Sequence, residues 1–267
     1  MTNHQIIKMI ENNPLYIKNI KDPSIEMELA AVSRNGSSIR YIEDPTAEMK
    51  KIAIENNVMA IEYIIDVTDE MKEYAVSKSW LTLQFMNNPG EDLIKTGIHQ
   101  KGWAIKYSTR PSVELQKLAI EKDYDAIKFI KDPTEEVQLF AIKISYDAVR
   151  YIEKLTLKAE LLAIKENEAA VIFISNIDEN KKILFLKANV LVMKYFANDI
   201  PKCRVESALK EVLSKEDVSV KYVKDFIHLE SISEKHDNIS MNRIIFIHKY
   251  GSKKSKRIVV DEMLSIS

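Results

Sequence analysis

The residues best suited to proton transfer or metal ligation are the five histidines, at positions 4, 99, 228, 236 and 248. None stands four residues from another and none lies in an H-E-x-x-H sequence, so the spacing a helical zinc site requires is missing. His228, His236 and His248 are close enough in sequence to be considered together as a tail site, but three separate surface histidines is the expected reading. The carboxylates are numerous and periodic. Glu26, Glu48, Glu70, Glu114 and Glu136 fall where first helical turns are expected, complementing the positive end of the helix dipole. A catalytic pair needs two carboxyl groups with different environments in one cleft, and no pair is singled out. The chain has five glycines and no phosphate-cradling glycine loop. Its single cysteine, Cys203, cannot form an intramolecular disulfide. These residues predict no enzymatic activity, no cofactor and no metal.

Binding chemistry is better represented. Lys106, Lys128 and Arg150 recur at one spacing, with Lys95 and Lys117 in a neighbouring column, and Trp103, Tyr124 and Tyr146 stand near the expected turns. Bases interleaved with aromatic rings suit a single-stranded nucleic acid. Glu121, Asp123 and Asp125 stand among those bases, however, and the plainer expectation is solvated lysines balanced by these acids. Trp80, one repeat before Trp103, belongs to the same candidate set. Near the end, Lys253, Lys254, Lys256 and Arg257 form a second basic cluster whose default role is a solvated loop. A net charge of −1 provides no bulk field to recruit nucleic acid or an anionic membrane. The first residues carry no basic-then-apolar leader, and no apolar run approaches a membrane span. The expectation is a cytoplasmic protein with a protein partner, nucleic acid as the rival ligand, and no membrane association.

The elements that position these residues are set by a repeat. Pro23, Pro45, Pro89, Pro111 and Pro133 share one 22-residue phase, and Tyr41, Tyr63, Phe85, Tyr107, Phe129, Tyr151, Phe173 and Tyr195 form an unbroken aromatic column at the same period. In Asp132 to Glu153, Asp132 is read as a helix N-cap with Pro133 at the first helical position. Val137, Phe140, Ala141 and Ile144 form a stripe at helical spacing, Tyr146 and Asp147 a turn, and Ala148, Val149, Tyr151 and Ile152 a second, shorter helix. Ala31, Ala53, Ala75, Gly97, Ala119, Ala141 and Ala163 are uniformly small, as required where neighbouring helices approach closely. Neither helix can bury its stripe alone, so repeats must stack.

The fold class expected is all-α: an α-solenoid of 22-residue helix-turn-helix repeats. Residues 1–21 are read as an N-terminal capping half-repeat, 22–197 as eight two-helix repeats, and 198–267 as a C-terminal capping region through which the chain could self-associate. Arg204 to Leu213 and Val218 to Leu229 read as helices. The β-branched runs at 243–247 and 257–260 read as a terminal β-hairpin or a last helix with a loop, the hairpin being preferred. The fourth repeat, 88–109, holds Gly90, Gly97 and Gly102 and is expected to be locally weak, because a mid-helix glycine costs about 1 kcal/mol relative to alanine.

The run from Asp132 to Lys143, followed by Ala148-Val149-Arg150-Tyr151-Ile152, resembles a short two-helix repeat family of unknown function found in proteins of bacteriophages, bacteria and large viruses. The resemblance covers roughly residues 6–197 and transfers no catalytic residue. The long regular surface, the balanced charge and the lack of site chemistry give the expectation of a non-enzymatic scaffold that binds another protein. The resemblance implies a phage or mobile-element setting, in which the partner would be a host factor that the protein binds or inhibits.

Overall fold

The structure is a computed structural model that describes residues 1–233 and 238–266, of residue 266 the backbone alone. It is all-α, a tandem helical repeat, with no strand among the described residues. The chain divides into two compact bodies, Met1–Lys131 and Asp132–Ser267.

In the first body six ten-residue helices begin 22 residues apart: α1 (Asn3–Asn12), α2 (Ile25–Arg34), α3 (Ala47–Asn56), α4 (Asp69–Lys78), α5 (Glu91–Gln100) and α6 (Val113–Lys122). Each is followed by a six-residue 3-10 helix, from Pro14–Asn19 through Gly36–Tyr41, Val58–Tyr63, Trp80–Phe85 and Gly102–Tyr107 to Tyr124–Phe129. The second body continues the pattern with α7 (Glu135–Ile144), α8 (Leu157–Glu166) and α9 (Glu179–Ala188), paired with 3-10 helices Tyr146–Tyr151, Glu168–Phe173 and Val190–Val192. The last of these runs into α10 (Met193–Phe196). The shorter partner in each repeat is thus a tight 3-10 helix, in which side chains three residues apart eclipse one another.

The helix starts differ from the sequence reading. Asp132 is not the N-cap of α7: Thr134 is, its hydroxyl accepting from the Val137 N–H at 3.4 Å. The same column supplies Thr2, Thr46, Thr68, Ser112, Thr156 and Asp178, each accepting from the backbone three residues on. Asp132 instead has φ 48°, and Asp22, Asp66, Asn88 and Asn176 share this left-handed conformation. Asp and Asn tolerate it best among residues with a side chain. Arg110 and Lys154, at the same phase, do not adopt it. Pro133 precedes the cap rather than opening the helix.

Residues 1–21 are likewise more than a half-repeat. Thr2 caps α1 in a reciprocal capping box with Gln5, and α1 with its 3-10 helix keeps the 22-residue phase, making a complete repeat. Met9 occupies the small-residue column in α1 and is 37% exposed. Ala31, Ala53, Ala75 and Ala119, and in the second body Ala141 and Ala163, are fully buried there. In α7 the buried stripe is Val137, Gln138, Ala141 and Ile142, while Ile144 is exposed. Gln138 joins consecutive repeats: its Nε2 donates to the carbonyls of Pro133 and Lys154 at 2.9 and 3.0 Å, and its Oε1 accepts from the Thr156 N–H at 2.9 Å.

Two of the three glycines of the fourth repeat, Gly97 and Gly102, sit at close approaches. A Cβ on Gly97 would lie 2.7 Å from Leu83 Cδ1 and 3.0 Å from Ala104 Cβ, and one on Gly102 would lie 2.4 Å from the Ala119 carbonyl oxygen. Helices α3 and α4 pack less closely than α2 and α3. A groove of about 310 Å³ opens there beside Ile54, Met71 and Tyr74.

After α10 come α11 (Lys202–Leu213), α12 (Val220–His228), α13 (Arg243–Tyr250) and α14 (Lys253–Ile266). The β-hairpin expected at the end is therefore absent: both β-branched runs are helical. Asn242 caps α13 by accepting from the Ile245 N–H at 2.9 Å, and Ser252 Oγ accepts from the Ser255 N–H at 3.1 Å at the start of α14. Phe246, Ile247, Ile258 and Val259 are buried, so tertiary packing overrides their strand propensity. The buried Tyr222 hydroxyl donates to the Leu186 carbonyl at 2.8 Å, tying α12 to α9. Burial pushes this hydroxyl's pKa up.

Candidate interaction surface

The expected binding residues of the first body gather on its 3-10 helices. Trp103 and Lys106 stand three apart in Gly102–Tyr107, so they share an edge, and Asp125 and Lys128 repeat the arrangement in Tyr124–Phe129. The Trp103 indole N–H donates to Asp125 Oδ1 at 2.8 Å, while Lys128 Nζ contacts Asp125 Oδ2 at 2.8 Å. Lys128 Nζ also lies 3.6 Å from the Trp103 ring centroid, a close cation–π contact, and Lys101 Nζ lies 5.0 Å from it. Lys101 pairs with Asp123 Oδ1 at 2.8 Å, and the other Asp123 oxygen accepts from the Gly102 N–H at 2.6 Å. Trp103 meets Phe129 edge-on at 5.7 Å. Partial burial works against ionisation of Asp125, but hydrogen bonds from Lys128 and Trp103 outweigh it and hold the carboxyl below the ordinary range.

One repeat earlier, Lys106 Nζ lies 5.3 Å from the Trp80 ring and 4.8 Å from the Tyr107 ring, which are themselves 6.2 Å apart. Both tryptophans and Tyr124 are half-buried, and Lys106 is exposed. The Trp80 N–H donates to Gln100 Oε1 at 2.9 Å, which fixes the start of its 3-10 helix. Lys95 lies in another groove, among Glu91, Asp92 and Glu114, and so does not extend a basic stripe.

In the second body Tyr146 is half-buried, and Arg150 pairs with Asp147 at 3.0 Å while its guanidinium lies 4.4 Å from the Phe173 ring. Asp125 is among the acids expected from sequence to balance the basic column, whereas the pairing of Asp147 with Arg150 is not; its position three residues before a base is the available signal.

Of the three tail histidines the structure describes two. His228 contacts Glu262 Oε1 at 3.1 Å beside Lys224, His248 is exposed on α13, and His236 lies outside the described residues. A groove of about 540 Å³ runs past Leu191, Lys194, Asp225 and His228. Among the described residues no three His, Cys, Asp or Glu side chains are grouped to hold a metal ion. Of the basic tail cluster, Lys253 and Lys254 sit at the start of α14, where Glu216 accepts their backbone N–H groups. Among the described residues no helix is long and apolar enough to cross a membrane.

Comparison of the chain with protein-family models, with curated proteins and with solved structures finds no match in any of the three.

Proposed function

We propose that the chain is a non-enzymatic helical-repeat scaffold that binds another protein through the 3-10 helices of its bodies. Trp80, Trp103, Lys106, Tyr124 and Lys128 contribute in the first body, and Tyr146 and Arg150 in the second. The observation that carries this reading is internal neutralisation: Lys101, Lys128 and Arg150 are paired with Asp123, Asp125 and Asp147. A nucleic acid is held largely by cations that neutralise phosphates, and here most of the bases already have a carboxylate. What remains is a charge-balanced surface of half-buried Trp and Tyr with Arg, the residue types that dominate protein hot spots. The family resemblance extends the reading to a phage or mobile-element protein that binds or inhibits a host factor.

Affinity capture with the full chain from a bacterial lysate tests this. A specific protein retained after nuclease treatment is the expected result. Recovery of RNA or DNA alone, in a salt-sensitive manner, would establish the nucleic-acid reading instead.

A further inference from the structure

We infer that Lys106, with Trp80, Trp103 and Tyr107, forms a subsite for one carboxylate of a partner protein, carried on a segment with an adjacent apolar side chain. The inference rests on the protein-binding reading and names the chemistry its partner must bring.

Three bases stand at equivalent places in successive repeats, Lys106, Lys128 and Arg150. Lys128 and Arg150 each have an aspartate three residues earlier, and each forms an ion pair with it, at 2.8 Å from Asp125 and 3.0 Å from Asp147. At the same place before Lys106 stands Trp103. The carboxylate that its counterparts receive from their own helix is therefore replaced by an indole. Asp125, one repeat on, is committed to the Trp103 N–H and to Lys128. Lys106 has no ion pair among the described residues, and its ammonium lies over the Trp80 and Tyr107 rings. A cation resting on aromatic faces keeps its charge and its hydrogen-bond donors available to an anion. An incoming Asp or Glu would complete the pairing found in the next repeat, and an apolar neighbour would cover the half-buried rings. One such cation suits one carboxylate, whereas a polyanion is held by neutralising several phosphates together.

The chain's two tryptophans, Trp80 and Trp103, both lie at this place, so intrinsic fluorescence reads the site directly. The full chain is titrated with a pool of acetylated, amidated hexapeptides, each holding one Asp or Glu beside Leu or Phe. A matched pool with Asn or Gln and poly(U) serve as the other probes. The inference expects saturable change with the acidic pool and about tenfold weaker binding by Lys106→Gln, while Lys95→Gln stays within about twofold. Lys106 is exposed, and unchanged thermal unfolding of Lys106→Gln verifies that the fold is intact. Equal binding of the acidic and amide pools would overturn the carboxylate subsite while leaving a protein-binding surface. Response to neither peptide pool would overturn the subsite alone, and response to poly(U) alone would overturn both readings.

Discussion

Asp125 is the residue on which most of the candidate edge depends. Its two oxygens hold the Trp103 indole and the Lys128 ammonium, and through them the stack of Lys128 on Trp103. Replacing it with alanine leaves a half-buried indole N–H without its acceptor and a lysine without its counter-charge. A hydrogen bond to a charged group contributes about 1.5–3 kcal/mol when buried, and partial exposure lowers this. Asp125→Ala is therefore expected to destabilise the chain by about 1 kcal/mol in urea unfolding and to shift Trp emission to the red. Unchanged emission would mean that the indole does not depend on this carboxylate. The residue scale is only partly legible in the sequence. The aromatic and basic columns are visible as types at a period, and the acids three residues before Lys128 and Arg150 are visible too, since such pairs form on either kind of helix. The contacts of Trp103 with Asp125 and Lys128 of the next repeat, however, depend on how the repeats stack. Nor do composition and period distinguish the 3-10 helix from a short α-helix.

At the scale of elements, the 22-residue period, the small column and the aromatic column all follow from sequence because each is a repeated packing demand. The chemistry of single turns is what sequence misleads on. Asp-Pro-Thr looks like a cap at Asp, yet the cap of α7 is Thr134, two residues on, and Asp132 is a left-handed turn residue. The β-branched tail runs look like strands because their burial against α12 and its neighbours is a property of the folded chain and not of a local window. The glycines make the point testable. Gly102 closes on the Ala119 carbonyl, with its N–H held by Asp123, whereas Gly90 caps α5 in open space, where an added Cβ would meet nothing within 4 Å. Gly102→Ala is expected to cost about 1–3 kcal/mol. Gly90→Ser restores the side-chain cap of other repeats and is expected to leave stability unchanged or raise it by a few tenths of a kcal/mol. Urea midpoints of the two variants give the comparison; a Gly102→Ala chain as stable as the parent would refute the close-approach account.

For the molecule as a whole, near-zero net charge conceals many local pairs, and these fix its response to acid. Hydrogen bonds and charge from Lys72, Lys158, Lys187 and Lys224 hold Asp69, Glu135, Glu211 and Glu262 below the ordinary carboxylate range. In Glu168 partial burial is the largest single influence and opposes this, but the hydrogen bond from Lys194, a backbone hydrogen bond and the charges of Lys194 and Lys221 together outweigh it. Groups with a lowered folded pKa stabilise the fold fully above their unfolded pKa, and that contribution is lost as pH falls through the folded value. Glu28, raised by burial, acts in the opposite sense. The sum predicts constant melting temperature from neutral pH to about 5 and a progressive fall below about 4. A melting temperature that rises on acidification to about pH 3 would contradict it. The central claim, that the 3-10 helices are where another protein docks, is tested most directly by hydrogen exchange of the full chain alone and bound to its captured partner. Protection gained at Trp80–Phe85, Gly102–Tyr107 and Tyr124–Phe129, and resistant to nuclease, is the predicted result. Protection confined to α13 and α14, with these three segments unchanged, would contradict it.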